Sequence, residues 1–139
     1  MLPSEDQQTN NPATSTATRI LVVEDEVLIR MLVADELRDA DYDVVEAGSA
    51  DEALELLGTL APIDLIISDV RMPGSIDGLG LLAAVKAQCP RLPFIVTSGH
   101  IEPSLAIQKG ADQFLPKPYS THVVLSAVYD ELSASRSTL

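Results

Sequence analysis

The sequence predicts an α/β domain in which five parallel strands form a doubly wound sheet with five helices on its two faces. Three observations predict it. Short aliphatic runs alternate with amphipathic stretches from Arg19 onward. Several of those runs are continuous rather than alternating, as in strands buried on both faces. The chain has 139 residues, which suits a single hydrophobic core. Strands that alternate with helices imply right-handed crossovers. Periodicity leaves the strand order open.

The first strand is the Ile-Leu-Val-Val run at 20–23. The helix after it, about 26–39, sets Ile29, Leu32, Val33, Leu37 and Ala40 along one stripe, as a helix packed on a core does. Val44 and Val45 mark the second strand. Ser49, with Glu52 three residues on, is a capping-box pattern ahead of Ala53, Leu54 and Leu57. The third strand is 65–67, and its helix follows Asp77-Gly78, carries Leu79, Leu82 and Val85, and stops before Pro90. The fourth strand is 94–96. A short helix near 103–109 has Pro103 in its first turn and Gly110 past its end. Phe114-Leu115 is the fifth strand, and the last helix starts near Ser120 and presents Val124, Val128 and Leu132.

Residues 1–18 are rich in Thr, Ser, Asn, Gln and Pro, with no apolar period. Such a segment buries too little to offset its ordering entropy and reads as a flexible tail. The folded domain is expected over 19–134, with a C-terminal tail at 135–139. The formal net charge of -12 argues against nucleic acid or anionic membranes as partners and favours metal ions and basic protein surfaces. Cys89 is the single cysteine, so no internal disulfide is possible. No basic and apolar leader opens the chain, and no apolar run approaches the roughly 20 residues that span a bilayer. A cytoplasmic setting is expected.

Open parallel sheets bind ligands beyond the carboxyl ends of their strands. Here the first strand ends in Glu24-Asp25, with Glu26 beyond. The third ends in Ser68-Asp69, the fourth in Thr97-Ser98-Gly99, and the fifth leads into Pro116-Lys117-Pro118. Crowded carboxylates take up protons unless a cation sits among them. Mg²⁺ suits such a set because it takes one or two carboxylates, keeps waters and coordinates phosphate oxygens. A lysine alongside offsets charge and can hold a phosphoryl oxygen. Asp69, after a buried run, is the carboxylate best placed as a nucleophile toward phosphorus. Acidic residues at strand ends also cap helices, so no single position identifies a site. Their convergence at four strand ends does.

These residues resemble the receiver domains of two-component response regulators, of the single-domain, CheY-like type. The resemblance covers about 19–134 and rests on ILVVEDE at 20–26, LIISDVRMPG at 65–74, DG at 77–78, PFIVTSG at 93–99 and FLPKPY at 114–119. It implies a flavodoxin-like (βα)5 fold with strand order 2-1-3-4-5. It also implies that Asp69 is the phosphoacceptor, that Asp25 binds Mg²⁺ directly and Glu24 through water, and that Arg71 lends its backbone carbonyl. Lys117 matches the lysine that pairs first with the acceptor and then with the phosphoryl group. Ser98 matches the switch hydroxyl, with Thr97 the alternative if the strand is shifted by one. Phe114 matches the aromatic switch, or is an ordinary core aromatic. Lys117-Pro118 is a candidate cis bond.

The implied role is that of a phosphoacceptor which catalyses its own phosphorylation and dephosphorylation without turning over external substrates. A sensor histidine kinase or histidine phosphotransfer protein is the expected donor, and a downstream protein target or a phosphorylation-dependent homodimer the expected output. No output domain follows the last helix, so the chain is either a stand-alone receiver or part of something longer. The loop 72–78 is one residue longer than the common form, and the stretch from Ser98 to Lys117 is shorter. Asp41 stands where Gly is more usual after the first helix, at modest cost for an Asp. His100, His122 and Cys89 read as ordinary surface or helix-end residues. Aspartyl-nucleophile phosphatases usually carry Asp-x-Asp after one strand, a spacing absent here, and nucleotide binding requires a glycine-rich loop that the sequence lacks. A docking module that no longer accepts phosphate would fail to bind Mg²⁺.

Overall fold

The computed structural model describes residues 17–59 and 62–137. Residues 1–16 of the expected N-terminal tail and the last two residues of the C-terminal tail lie outside them. In chain order the elements are β1 (Arg19–Val23), α1 (Val27–Asp39), β2 (Asp43–Ala47), α2 (Ala50–Thr59), β3 (Leu65–Asp69), α3 (Gly78–Gln88), β4 (Phe94–Ser98), α4 (Pro103–Gln108), β5 (Gln113–Pro116) and α5 (Thr121–Ser137). All strand pairings are parallel, and the sheet order is β2-β1-β3-β4-β5. That is the doubly wound order the resemblance implied. α5 runs past residue 134, where the domain was expected to end.

Alternate residues of each strand serve opposite faces of the sheet. Ile20, Val22, Leu65, Ile67 and Ile95 pack with Val33 and Leu37 of α1 and Val124 and Val128 of α5. Leu21, Val23, Ile66, Phe94 and Val96 pack with Ala53 of α2, Leu81 and Leu82 of α3, and Ala106 of α4. β1, β3 and β4 are almost wholly buried, which is why their sequences are continuous aliphatic runs rather than alternations.

The helix starts follow local chemistry. The Ser49 hydroxyl accepts from the Glu52 N–H at 3.1 Å, and Glu52 reaches back to accept from the Gly48 N–H at 2.7 Å. Asp77 caps α3 by accepting from the Gly80 N–H at 2.9 Å. Ser120 accepts from the Val123 N–H ahead of α5 at 3.2 Å. Asp41 adopts the left-handed conformation, φ 72°, after α1, and Lys117-Pro118 is cis.

The inward stripe of α1 is narrower than its spacing predicts. Leu32 is 63 % exposed and Ala40 lies on the surface past the helix end. The inward face of α1 follows Ile29, Val33 and Leu37 at four-residue intervals, with Ala34 beside them. Leu32 is rotated about 100° from Val33 and falls off that face. Leu54 of α2 is likewise exposed.

Candidate functional site

The parallel register gathers residues the sequence scatters. Val23 pairs with Ser68 across β1 and β3, so Glu24 follows one strand beside Asp69 on the next. Asp69 pairs with Thr97, and Ser98 with Pro116, which puts Lys117 next to the end of β4. The Lys117 N–H donates to the Ser98 carbonyl at 3.0 Å.

At that end of the sheet the Lys117 ammonium donates to Glu24 Oε1 at 2.9 Å and to Asp69 Oδ2 at 3.0 Å. The other Asp69 oxygen accepts from the Val70 N–H at 2.8 Å, and Glu24 Oε2 accepts from the Glu26 N–H at 3.2 Å. Glu24 and Asp69 are only 3 % and 7 % exposed. One carboxylate oxygen from each of Glu24, Asp25 and Asp69 lies within 4.8 Å of the others, and Asp25 is the most exposed of the three. Among the described residues this is the group of His, Cys, Asp and Glu side chains spaced to hold a metal; His100 and His122 stand outside it.

Burial raises the Glu24 carboxyl above its ordinary range, and the nearby Asp69 charge adds to that. Its bonds from Lys117 and Glu26 offset part of the rise. Burial alone would lower the Lys117 ammonium, but its bonds to Glu24 and Asp69 outweigh that and hold it above its ordinary value. One cation therefore faces two buried carboxylates, with a third beside them. The donor set is entirely hard oxygen, which fits a small divalent cation such as Mg²⁺ held by Glu24, Asp25 and Asp69.

Ser98 and Thr97 are both buried. Strand alternation puts Thr97 on the face of Ile95 and Ser98 on the face of Phe94 and Val96. Ser98 Oγ accepts from the His100 N–H at 3.0 Å. Phe114 is half-buried against the cluster of α2, α3 and α4. Arg71 follows Asp69 into the β3–α3 loop, exposed to solvent.

The model of the response regulator receiver domain matches residues 20–129. The chain belongs to that family. This receiver is 38 % identical over 105 residues to a putative NtrX-like response regulator of Rickettsia felis, covering 73 % of the chain and 22 % of that protein. It is also 38 % identical over 122 residues to the sensor kinase CckA of Brucella abortus, covering 85 % of the chain and 13 % of the kinase. The receiver thus spans less than a quarter of the length of these curated relatives. Among solved structures, the receiver domain of NtrX from Brucella abortus superposes with a TM-score of 0.76 at 38 % identity, covering 82 % of this chain and 98 % of that one. A CheY-like receiver from Methanospirillum hungatei has a TM-score of 0.83 at 24 % identity, covering 89 % and 100 %, and shares the fold.

One residue of the receiver site escaped sequence reasoning. Arg30 of α1 donates from Nη1 to the Glu24 carbonyl at 2.8 Å and from Nε to Glu46 Oε1 at 3.2 Å, tying the acidic turn to β2. Its signal was a lone cation in the apolar stretch 27–33.

Proposed function

We propose that this receiver accepts a phosphoryl group on Asp69 from a phosphohistidine donor or a small acyl phosphate. The single observation that carries the reading is the convergence of Lys117 on Asp69 and Glu24 beside Asp25. Asp69 Oδ attacks phosphorus while the bond to the donor nitrogen or oxygen breaks, its electron pair staying with the leaving group. Asp25 and Asp69, the Arg71 backbone carbonyl, and Glu24 through water are the groups to hold Mg²⁺. When bound, Mg²⁺ supplies charge neutralisation for the phosphoryl oxygens. Lys117, already beside Asp69, transfers its bond to a phosphoryl oxygen. The chemistry is mostly positioning and electrostatics. The receiver is a phosphoacceptor that catalyses its own labelling and hydrolysis, not a turnover enzyme.

Ser98 is the hydroxyl proposed to swing to a phosphoryl oxygen. Thr97 is the alternative. Phe114 is the proposed packing relay to the face of α4, β5 and α5, where Ile107, Val123 and Tyr129 are exposed. An apolar, solvent-facing surface of this kind suits a protein target or a second receiver. Switching nearly all molecules from a mostly inactive population needs roughly 5 kcal/mol of differential stabilisation. The donor is a sensor histidine kinase or a histidine phosphotransfer protein. Neither nucleic acid nor a membrane is a direct partner, and the setting is cytoplasmic; among the described residues no helix is long and apolar enough to cross a membrane.

The test is incubation with a small acyl phosphate, with and without Mg²⁺, read by intact-protein mass. One phosphoryl group should appear only with Mg²⁺, and only when Asp69 is present. Equal labelling of the wild type and Asp69→Asn would overturn the assignment.

A further inference from the structure

The loop between β3 and α3 begins immediately after Asp69 and contains the stretch 72–78, one residue longer than the common form. Its far end is fixed. Gly78 lies so close under the Asp69 carbonyl that a Cβ there would overlap it, the Gly78 N–H donates to the Val70 carbonyl at 2.8 Å, and Asp77 caps α3.

The middle of the loop is held by a different element. Asp51, in the first turn of α2, accepts from the Ser75 N–H at 2.9 Å with one carboxylate oxygen. Its other oxygen accepts from the Ser75 hydroxyl. The approach is close enough that a Cβ on Gly74 would overlap the Asp51 carboxylate, and Gly74 has φ +121°, a conformation that favours glycine. Bonds from the Ser75 hydroxyl and then the Ser75 N–H hold the Asp51 carboxyl below its ordinary range, so at neutral pH it is ionised and both bonds are charge-assisted.

We infer that Asp51 and Ser75 form a latch that positions the β3–α3 loop for metal binding at the acidic site. Asp51 is a positioning residue: it touches neither the metal group nor the phosphoryl group, and acts through the loop that carries Arg71. An extra residue in an untethered loop widens the range of positions open to the Arg71 carbonyl, and the loop entropy must be given up when a cation binds. The latch gives up that entropy on folding instead. The inference rests on the proposed Mg²⁺ site.

The experiment is titration of the full chain with Mg²⁺ alone, followed by calorimetry, with amide hydrogen exchange of residues 71–77 measured in parallel. Loss of both bonds in Asp51→Ala should weaken the Mg²⁺ dissociation constant by about fivefold and speed exchange across the loop. Ser75→Ala keeps the backbone bond and should show a smaller loss of about twofold. The double variant should be no weaker than Asp51→Ala, because the two changes remove one interaction. Wild-type affinity in Asp51→Ala overturns the latch, and does so even if loop exchange quickens, since the contact is then structural only. Additive losses in the double variant also overturn it. If Asp51→Ala does not melt cooperatively, Ser75→Ala decides by the same criterion. A wild-type chain that binds no Mg²⁺ removes the proposed site itself, and the latch falls with it. Mg²⁺ binding by the wild type with unchanged affinity in the variants removes the latch alone.

Discussion

The ammonium nitrogen of Lys117 stands 3.0 Å from a carboxylate oxygen of Asp69, a residue 48 positions earlier in the chain. The same nitrogen bonds Glu24, 93 positions away. A single cation thus compensates two buried carboxylates, so the site is strained electrostatically once that cation is removed.

Lys117→Ala should therefore destabilise the metal-free chain by about 1–3 kcal/mol at neutral pH, because it leaves buried charge unpaired close to the surface. Millimolar Mg²⁺ should restore part of the loss, since a ligand that binds only the folded state stabilises it by mass action. Urea denaturation with and without Mg²⁺ measures both effects. An unchanged midpoint in the metal-free variant would show that Lys117 is not the neutralising group.

Glu24 sets the sign of a pH dependence. Its folded pKa is raised above the ordinary 4.5 by burial and by Asp69. Between 4.5 and the folded value the unfolded chain releases its proton first. Metal-free stability should thus fall as pH rises through that window, and the Glu24 contribution should be complete below it. Glu24→Gln lacks the titration, so the stability difference between the two proteins should change as pH rises above 4.5 in chelator. A flat difference curve would contradict the burial effect.

Gly78→Ala should be costly where Gly58→Ala is not. A Cβ at Gly78 would overlap the Asp69 carbonyl and the Val70 backbone, whereas one at Gly58 meets nothing within 4 Å. Forced backbone shifts at Gly78 are expected to cost about 1–3 kcal/mol or more and to lower labelling of Asp69. Gly58 lies inside α2, where alanine should stabilise by about 0.5–1 kcal/mol. Thermal melting of both variants, with acyl-phosphate labelling of Gly78→Ala, checks the contrast.

Exposure separates residues of similar hydrophobicity. Leu28 is 75 % exposed and Phe94 fully buried. Replacing Leu28 or Leu32 with Ser should alter stability by no more than about 0.5 kcal/mol. Phe94→Ala should cost about 3–5 kcal/mol. A large loss from Leu32→Ser would place that side chain back on the inner stripe where its spacing first put it.

Local chemistry was legible wherever the determining neighbours are close in sequence. The caps at Ser49 and Asp77 are set by atoms three residues apart, and the aliphatic runs of β1, β3 and β4 report burial on both faces directly. The acidic and basic strand ends were legible too, because every parallel strand delivers its C-terminal residue to the same edge. The exposure of Leu32 was not, because spacing along α1 does not say which part of a wide apolar arc meets β2 and α5.

The sequence by itself determined the type and succession of the elements and the residues at each strand's end, since hydrophobic period and capping act within a few residues. Tertiary structure alone decided that Lys117, the expected partner of Asp69, also bonds Glu24, that Arg30 holds the Glu24 carbonyl, and that Asp51 grips Ser75. Those partners meet only after strand register and helix packing have fixed the whole sheet. A local pattern carries no term for contacts made across tens of residues.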